Sequence, residues 1–252
     1  MQGELFLAFA SILGVVGRAR VNPGNEGCRK VAPRGSGPTE LDVSIELCGG
    51  ERPVTARFIR NELLSLDAEH NRRRRHPDYR FGAPALMLCD WHFAAASADL
   101  LVLNRGYHSL TDPHVDQQLA QLNETIAGLS NVMRSSGLRG GPQAHLRRRI
   151  VYRGTHGSLH NCERHPDPLS NESWSALSAK MGSRANAQYN WRGIEGREAR
   201  TKQLLGSLGV PYLDTFVSTS YRPSGRMPGN CNHFCVPGPI DDWVRLLLAW
   251  WT

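Results

Sequence analysis

Asp99-Leu100-Leu101-Val102-Leu103-Asn104-Arg105-Gly106 is a continuous apolar run closed by an Asn-Arg-Gly turn. A strand exposed on one face alternates apolar and polar residues. An unbroken run suits a strand covered on both faces, as in a parallel sheet. Arg149–Arg153 repeats the pattern on a smaller scale, and Ala85–Cys89 and Pro211–Phe216 are further short strand candidates. Helical periodicity lies between them. Asp116–Met133 carries Leu119, Leu122, Ile126, Leu129 and Val132 on one stripe, Ile194–Leu208 ends at Gly209, and Ile240–Trp251 closes the chain. Phe58, Ile59, Leu63, Leu64 and Leu66 predict one more helix over Phe58–Ala68. Strands alternating with helices predict an α/β fold with a mostly parallel central sheet. In such sheets the site lies outside the C-terminal strand ends, on the loops that follow. Three loops are expected to meet there: one after Leu103, one after Arg153, and one carrying His233.

The 252 residues are 40% hydrophobic and 21% charged, enough for a sizeable core and unlike a disordered chain. Net charge is +7, much of it in Arg72–Arg75 and Arg147–Arg149, which read as solvated surface. No Arg/Lys stripe is interleaved with aromatics, so no nucleic-acid partner is expected. Six cysteines and two sequons, Asn123-Glu124-Thr125 and Asn171-Glu172-Ser173, favour a secretory-pathway lumen, Golgi or extracellular. Residues 1–20 form an apolar N-terminal segment whose run Leu5–Val16 has signal-peptide length. It carries no preceding Lys or Arg, so a leader and a buried helix both stay open, and membrane association is expected only through this segment. Residues 21–49 are rich in Gly, Pro and charge and read as irregular, with at most one short strand near Val43–Leu47. Residues 50–252 form the domain.

The C-terminal stretch Asn230-Cys231-Asn232-His233-Phe234-Cys235-Val236-Pro237-Gly238-Pro239-Ile240-Asp241-Asp242-Trp243 sets one histidine between two close cysteines, on a Pro/Gly-rich turn ahead of a helix. Imidazole moves protons near neutral pH better than any other side chain, so His233 is the first candidate for chemistry. A lone histidine is more often structural; the flanking block shifts the balance to a site. His156, His160, Cys162 and His165 invite a zinc reading, but their spacing matches no finger. Cys162 is expected in a disulfide instead, with Cys231 and Cys235 both open as partners. No metal and no cofactor are expected. Trp191, Trp243, Trp250 and Trp251 read as core or pocket wall rather than a sugar platform.

These segments resemble the PC-esterase group, the branch of SGNH-type hydrolases and acyltransferases that includes the trichome-birefringence-like polysaccharide O-acetyltransferases. That family's closing block reads roughly Asp-Cys-x-His-Trp/Tyr-Cys-x-Pro-Gly-x-x-Asp-x-Trp. Here Cys231, His233, Cys235, Pro237, Gly238, Asp241 and Trp243 fall in register. Asp99–Gly106 resembles the family's central strand with its Asn-x-Gly turn, Tyr212-Leu213-Asp214 with Arg222-Pro223 resembles the approach to the final block, and Phe58–Leu66 resembles the helix after the nucleophile turn. The resemblance covers about residues 50–252. It implies a three-layer α/β/α SGNH-like domain and O-acyl (acetyl) transfer or ester hydrolysis on a carbohydrate. In such a triad a serine attacks, a histidine takes its proton and an aspartate orients the histidine. By position, His233 is the base, and Asn104 with Gly106 belongs to the oxyanion and substrate side. Cys162, Cys231, Cys235, Asp241 and Trp243 are structural. Two positions depart: Arg57 stands where the serine is expected, on a turn at Thr55-Ala56-Arg57, and Asn230 where the aspartate is expected. Aspartate-to-asparagine in a serine protease triad lowers turnover about ten-thousandfold. A pseudoenzyme that binds glycans or acts as a scaffold, and recruitment of another serine such as Ser65 or Ser109, are the alternatives.

Overall fold

The computed structural model describes residues 20–21, 28–29, 40–45, 54–59, 64, 88–89, 91, 95, 98–105, 112–135, 150–159, 161–165, 168–170, 174, 176–177, 193–227, 230–235 and 238–251. In chain order the strands are β1 (Arg20–Val21), β2 (Cys28–Arg29), β3 (Glu40–Ile45), β4 (Val54–Ile59), β5 (Leu88–Cys89), β6 (Leu101–Leu103), β7 (Ile150–Arg153), β8 (Tyr212–Leu213), β9 (Arg226–Met227) and β10 (Asn230–Phe234). The helices are α1 (Asp112–Ser135), α2 (Ile194–Ser207), α3 (Phe216–Ser220) and α4 (Pro239–Trp251).

The centre is a parallel sheet in the order β6-β7-β8, with Leu103 opposite Tyr152 and Tyr152 opposite Tyr212. Every residue of β7 is buried, as expected of a middle strand covered on both faces. Helix α1 lies between β6 and β7 in sequence, and α2 between β7 and β8, so both parallel connections contain a helix. Leu122, Ile126 and Leu129 of α1 and Leu205 of α2 join Leu103, Ile150 and Tyr152 in the main core. Full burial of each large aliphatic side chain contributes about 1.5–3 kcal/mol. Helix α2 stops at Gly209, whose φ of 67° is left-handed. These observations place the chain in the α/β class.

Several expectations need correction. Phe58 and Ile59 belong to β4, not to a helix over Phe58–Ala68. Leu64 has φ 54°, a left-handed conformation that no right-handed helix accommodates. The β-branched and aromatic residues Val54, Thr55, Phe58 and Ile59 instead pair antiparallel with β3, in a ladder from Glu40↔Ile59 to Ile45↔Val54. Residues 21–49, read as irregular with at most one short strand near Val43–Leu47, hold β3 at Glu40–Ile45, overlapping that strand, and a second strand, β2. The expected strand Pro211–Phe216 shrinks to β8, and Phe216 starts α3. The block Asn230–Phe234, read as a turn, is a strand paired antiparallel with β9, with a register irregularity between Asn230 and Phe234. The segment 1–19, Gly106, His160, Trp191 and the two arginine runs lie outside the described residues.

Candidate functional site

The C-terminal ends of β6 and β7 are locked together by one amide. Asn104 Nδ2 donates to the Arg153 carbonyl at 2.8 Å and to Thr155 Oγ1 at 3.3 Å. Beyond Arg153 the chain runs through Gly154–Leu159 without regular structure, and all six residues are buried. A buried loop must find partners for its backbone groups. Gly154 N–H donates to the Leu213 carbonyl (2.9 Å), Thr155 N–H to Glu198 Oε2 (2.8 Å) and Gly157 N–H to Ser220 Oγ (3.2 Å). The Gly154 carbonyl accepts from Thr215 Oγ1 (2.7 Å) and Arg153 Nη1 (3.0 Å). The two glycines are there for space. A Cβ on Gly154 would stand 2.2 Å from the Tyr212 hydroxyl, and one on Gly157 2.2 Å from Trp174.

This loop carries the parallel sheet to the strand of His233. His156 Nε2 lies 3.1 Å from the Asn232 carbonyl, and Ser158 Oγ donates to Asn232 Oδ1. A carbonyl only accepts, so Nε2 holds the proton. The His156 ring meets Phe234 edge-on at 4.6 Å and Trp243 at 5.6 Å. Arg153 stacks over Trp243 at 4.8 Å, and Arg226 over Phe234 at 4.7 Å. A desolvated cation–π contact contributes about 2 kcal/mol, less than the several kcal/mol that burying a guanidinium costs. Hydrogen bonds supply more: Arg226 donates to the carbonyls of Cys231 (2.6 Å) and Thr219 (3.1 Å). Burial, reinforced by the charges of Arg226 and Arg153, holds the His156 pKa well below the ordinary histidine value. His156 is therefore a neutral, structural imidazole.

His233 lies half-buried on β10 beside Asn232. Asn230 opens the same strand opposite Met227. Cys231 is bonded to Cys162 with a Cα–Cα distance of 5.6 Å, while Cys235 is a free, exposed thiol. The disulfide removes Cys162 from any metal-ligand set with the neighbouring histidines. Asp241 Oδ2 accepts from Gly238 N–H at 2.8 Å, a side chain at the third helical position reaching back to the cap of α4. Trp243 is fully buried among Phe234, Ile240 and Val244. Asn104, the loop after Arg153 and the His233 strand thus form one bonded unit. Arg57 does not sit at the end of a parallel strand. It lies inside β4, with its Cα paired to that of Asp42, so Thr55-Ala56-Arg57 is strand rather than a nucleophile turn.

Sequence reasoning missed His156, Arg153 and Glu198 as the centre of this unit. Glu198 carried a signal: it shares a helical stripe with Ile194, Thr201 and Leu205, so a carboxylate falls on the core face of α2. There it holds Thr155 N–H and accepts from the Tyr212 hydroxyl at 2.7 Å. Burial, then the Glu198 charge, push the Tyr212 pKa up, so this phenol stays a donor. No described helix is long and apolar enough to cross a membrane. No family model, curated protein or solved structure matches the chain. Fold and geometry together define an α/β protein with a candidate site at the C-terminal ends of a parallel sheet.

Proposed function

We propose that the chain is a carbohydrate-directed O-acyl (acetyl) transferase or esterase-type protein on a three-layer SGNH-like domain, with His233 as its base and Asn104 on the oxyanion side. The observation that supports this reading is the bonded path from Asn104 through Thr155 to His156 and Asn232, which puts both candidates on one unit. The closing block's resemblance to the PC-esterase pattern supplies the chemistry. A second reading is favoured by Arg57 within β4 and by Asn230 at the aspartate position: a pseudoenzyme that binds glycans or acts as a scaffold, without turnover. The disulfide Cys162–Cys231 supports passage through an oxidising lumen.

One experiment separates the readings. Acetate release from an O-acetylated polysaccharide is measured beside labelling by a fluorophosphonate, in the native protein and in His233→Ala. The transferase or esterase reading expects turnover that falls at least about a hundredfold in the variant. The non-catalytic reading expects no release and no labelling, with glycan affinity that weakens in His233→Ala. Neither turnover nor glycan binding would overturn both.

A further inference from the structure

The sequon Asn123-Glu124-Thr125 lies in the middle of α1 rather than on a loop. The helix separates its two functional ends. Positions two apart are rotated by about 200° around a helix axis, so they face nearly opposite sides. Asn123 and Glu124 are exposed, whereas Thr125 is 3% exposed. Thr125 Oγ1 donates to the Leu64 carbonyl at 2.8 Å.

Asn123 shares an exposed stripe with Asp116, Ala120 and Ala127. Its nearest neighbours along that stripe, Ala120 and Ala127, carry only methyl groups and leave room over the helix. A bulky, solvated group on Asn123 would extend into water and leave the core contacts of Leu122, Ile126 and Leu129 untouched. Attachment itself needs a different geometry. A glycan-transferring enzyme must reach the asparagine amide and the threonine hydroxyl together. In folded α1 that hydroxyl is buried against Leu64 and faces away from the amide. Only the unfolded segment can offer both.

We propose that Asn123 carries an N-linked glycan, attached before α1 folds. Asn123 Nδ2 forms a bond to the anomeric carbon of an oligosaccharide and loses one proton to a base of the transferring enzyme. The bond from that carbon to a lipid pyrophosphate donor breaks, and the lipid pyrophosphate leaves. The proposal rests on the lumenal reading of the Cys162–Cys231 disulfide and is independent of the acyl chemistry.

The test expresses the full chain in cultured eukaryotic cells, beside an Asn171→Gln form in which Asn123 is the remaining sequon. Peptide-N-glycosidase in heavy-oxygen water converts a glycosylated asparagine to labelled aspartate, read by mass spectrometry. Label at position 123 is expected, with a gel mobility step that Asn123→Gln removes. Alkylation of the same sample reports whether Cys162 and Cys231 are bonded. A formed disulfide with Asn123 bare would overturn the site. Reduced thiols with Asn123 bare would overturn the lumenal reading and the proposal with it. For the order of events, unglycosylated chain from a bacterial host is offered to purified oligosaccharyltransferase and its lipid-linked donor, either folded or reduced and unfolded. Transfer to the folded chain should be at least about tenfold slower, since the buried hydroxyl must first leave Leu64. Equal rates would overturn attachment before folding.

Discussion

The two halves of the candidate site are held by different forces. Asn104 follows β6 and Arg153 ends β7 in a parallel sheet whose Ile150 and Tyr152 side is packed by α1 and α2. Asn230–Phe234 belongs to a two-stranded hairpin with β9, and an isolated hairpin of this size is marginal in water. Side chains hold it instead: the disulfide from Cys231, the Arg226 guanidinium, the His156 ring and the Phe234–Trp243 pair. The sheet half spreads its stability over a short parallel ladder and the aliphatic contacts of the main core. The hairpin half concentrates it in a few side chains, so single substitutions should act far more strongly there.

The largest effect is expected from Trp243→Ala, which removes the ring that Phe234, His156 and Arg153 pack against. The loss should be about 3–5 kcal/mol in urea unfolding. An equal loss from Ile150→Val, normally about 0.5–1.5 kcal/mol, would break the contrast between the halves. Next comes the disulfide. Replacing Cys162 and Cys231 by alanine should cost about 2–4 kcal/mol, read as a lower denaturant midpoint that reducing agent no longer shifts.

Acid provides the third test. His156 is neutral in the folded protein and titrates well below its value in the unfolded chain, near 6.5. The unfolded chain therefore takes up a proton that the folded one refuses. This contribution is fully present above about pH 6.5 and is lost as pH falls from there toward the folded value, at up to about 1.4 kcal/mol per pH unit. Urea midpoints at pH 7.5 and 5.5 should differ less in His156→Gln than in the native protein. An unchanged difference would show that His156 is not the acid-sensitive group. The smallest effect belongs to Asp241→Ala, which removes the bond to Gly238 N–H at the start of α4 and should cost about 1 kcal/mol.

The sheet half was legible because its signals are local. Leu101–Leu103 and Ile150–Arg153 are apolar runs, and the stripe Leu122, Ile126, Leu129 recurs at helical spacing. The hairpin half was not, because Asn-Cys-Asn-His-Phe has no strong strand propensity and its order comes from residues 69 to 76 positions away. The same blindness put Phe58 in a helix: apolar spacing near Leu64 suggested 3.6 periodicity, while a strand partner at Glu40–Ile45 decided otherwise. It also ranked the two histidines by their flanking motifs. Only the fold shows that His156 is the buried one, gripped by Asn232 and two arginine-capped rings.

By itself the sequence determined the α/β class, the three long helices and the buried strands, because hydrophobic periodicity and end signals act within a few residues. The Pro-Gly-Pro-Ile-Asp start of α4 is of this kind, since cap and carboxylate are three residues apart. Tertiary structure alone decided which cysteine pairs with Cys162, why Gly154 and Gly157 carry no side chain, and where Glu198 and Arg197 put their charges. Those outcomes depend on close approach between distant segments and on loss of water, and neither is encoded at any fixed spacing along the chain.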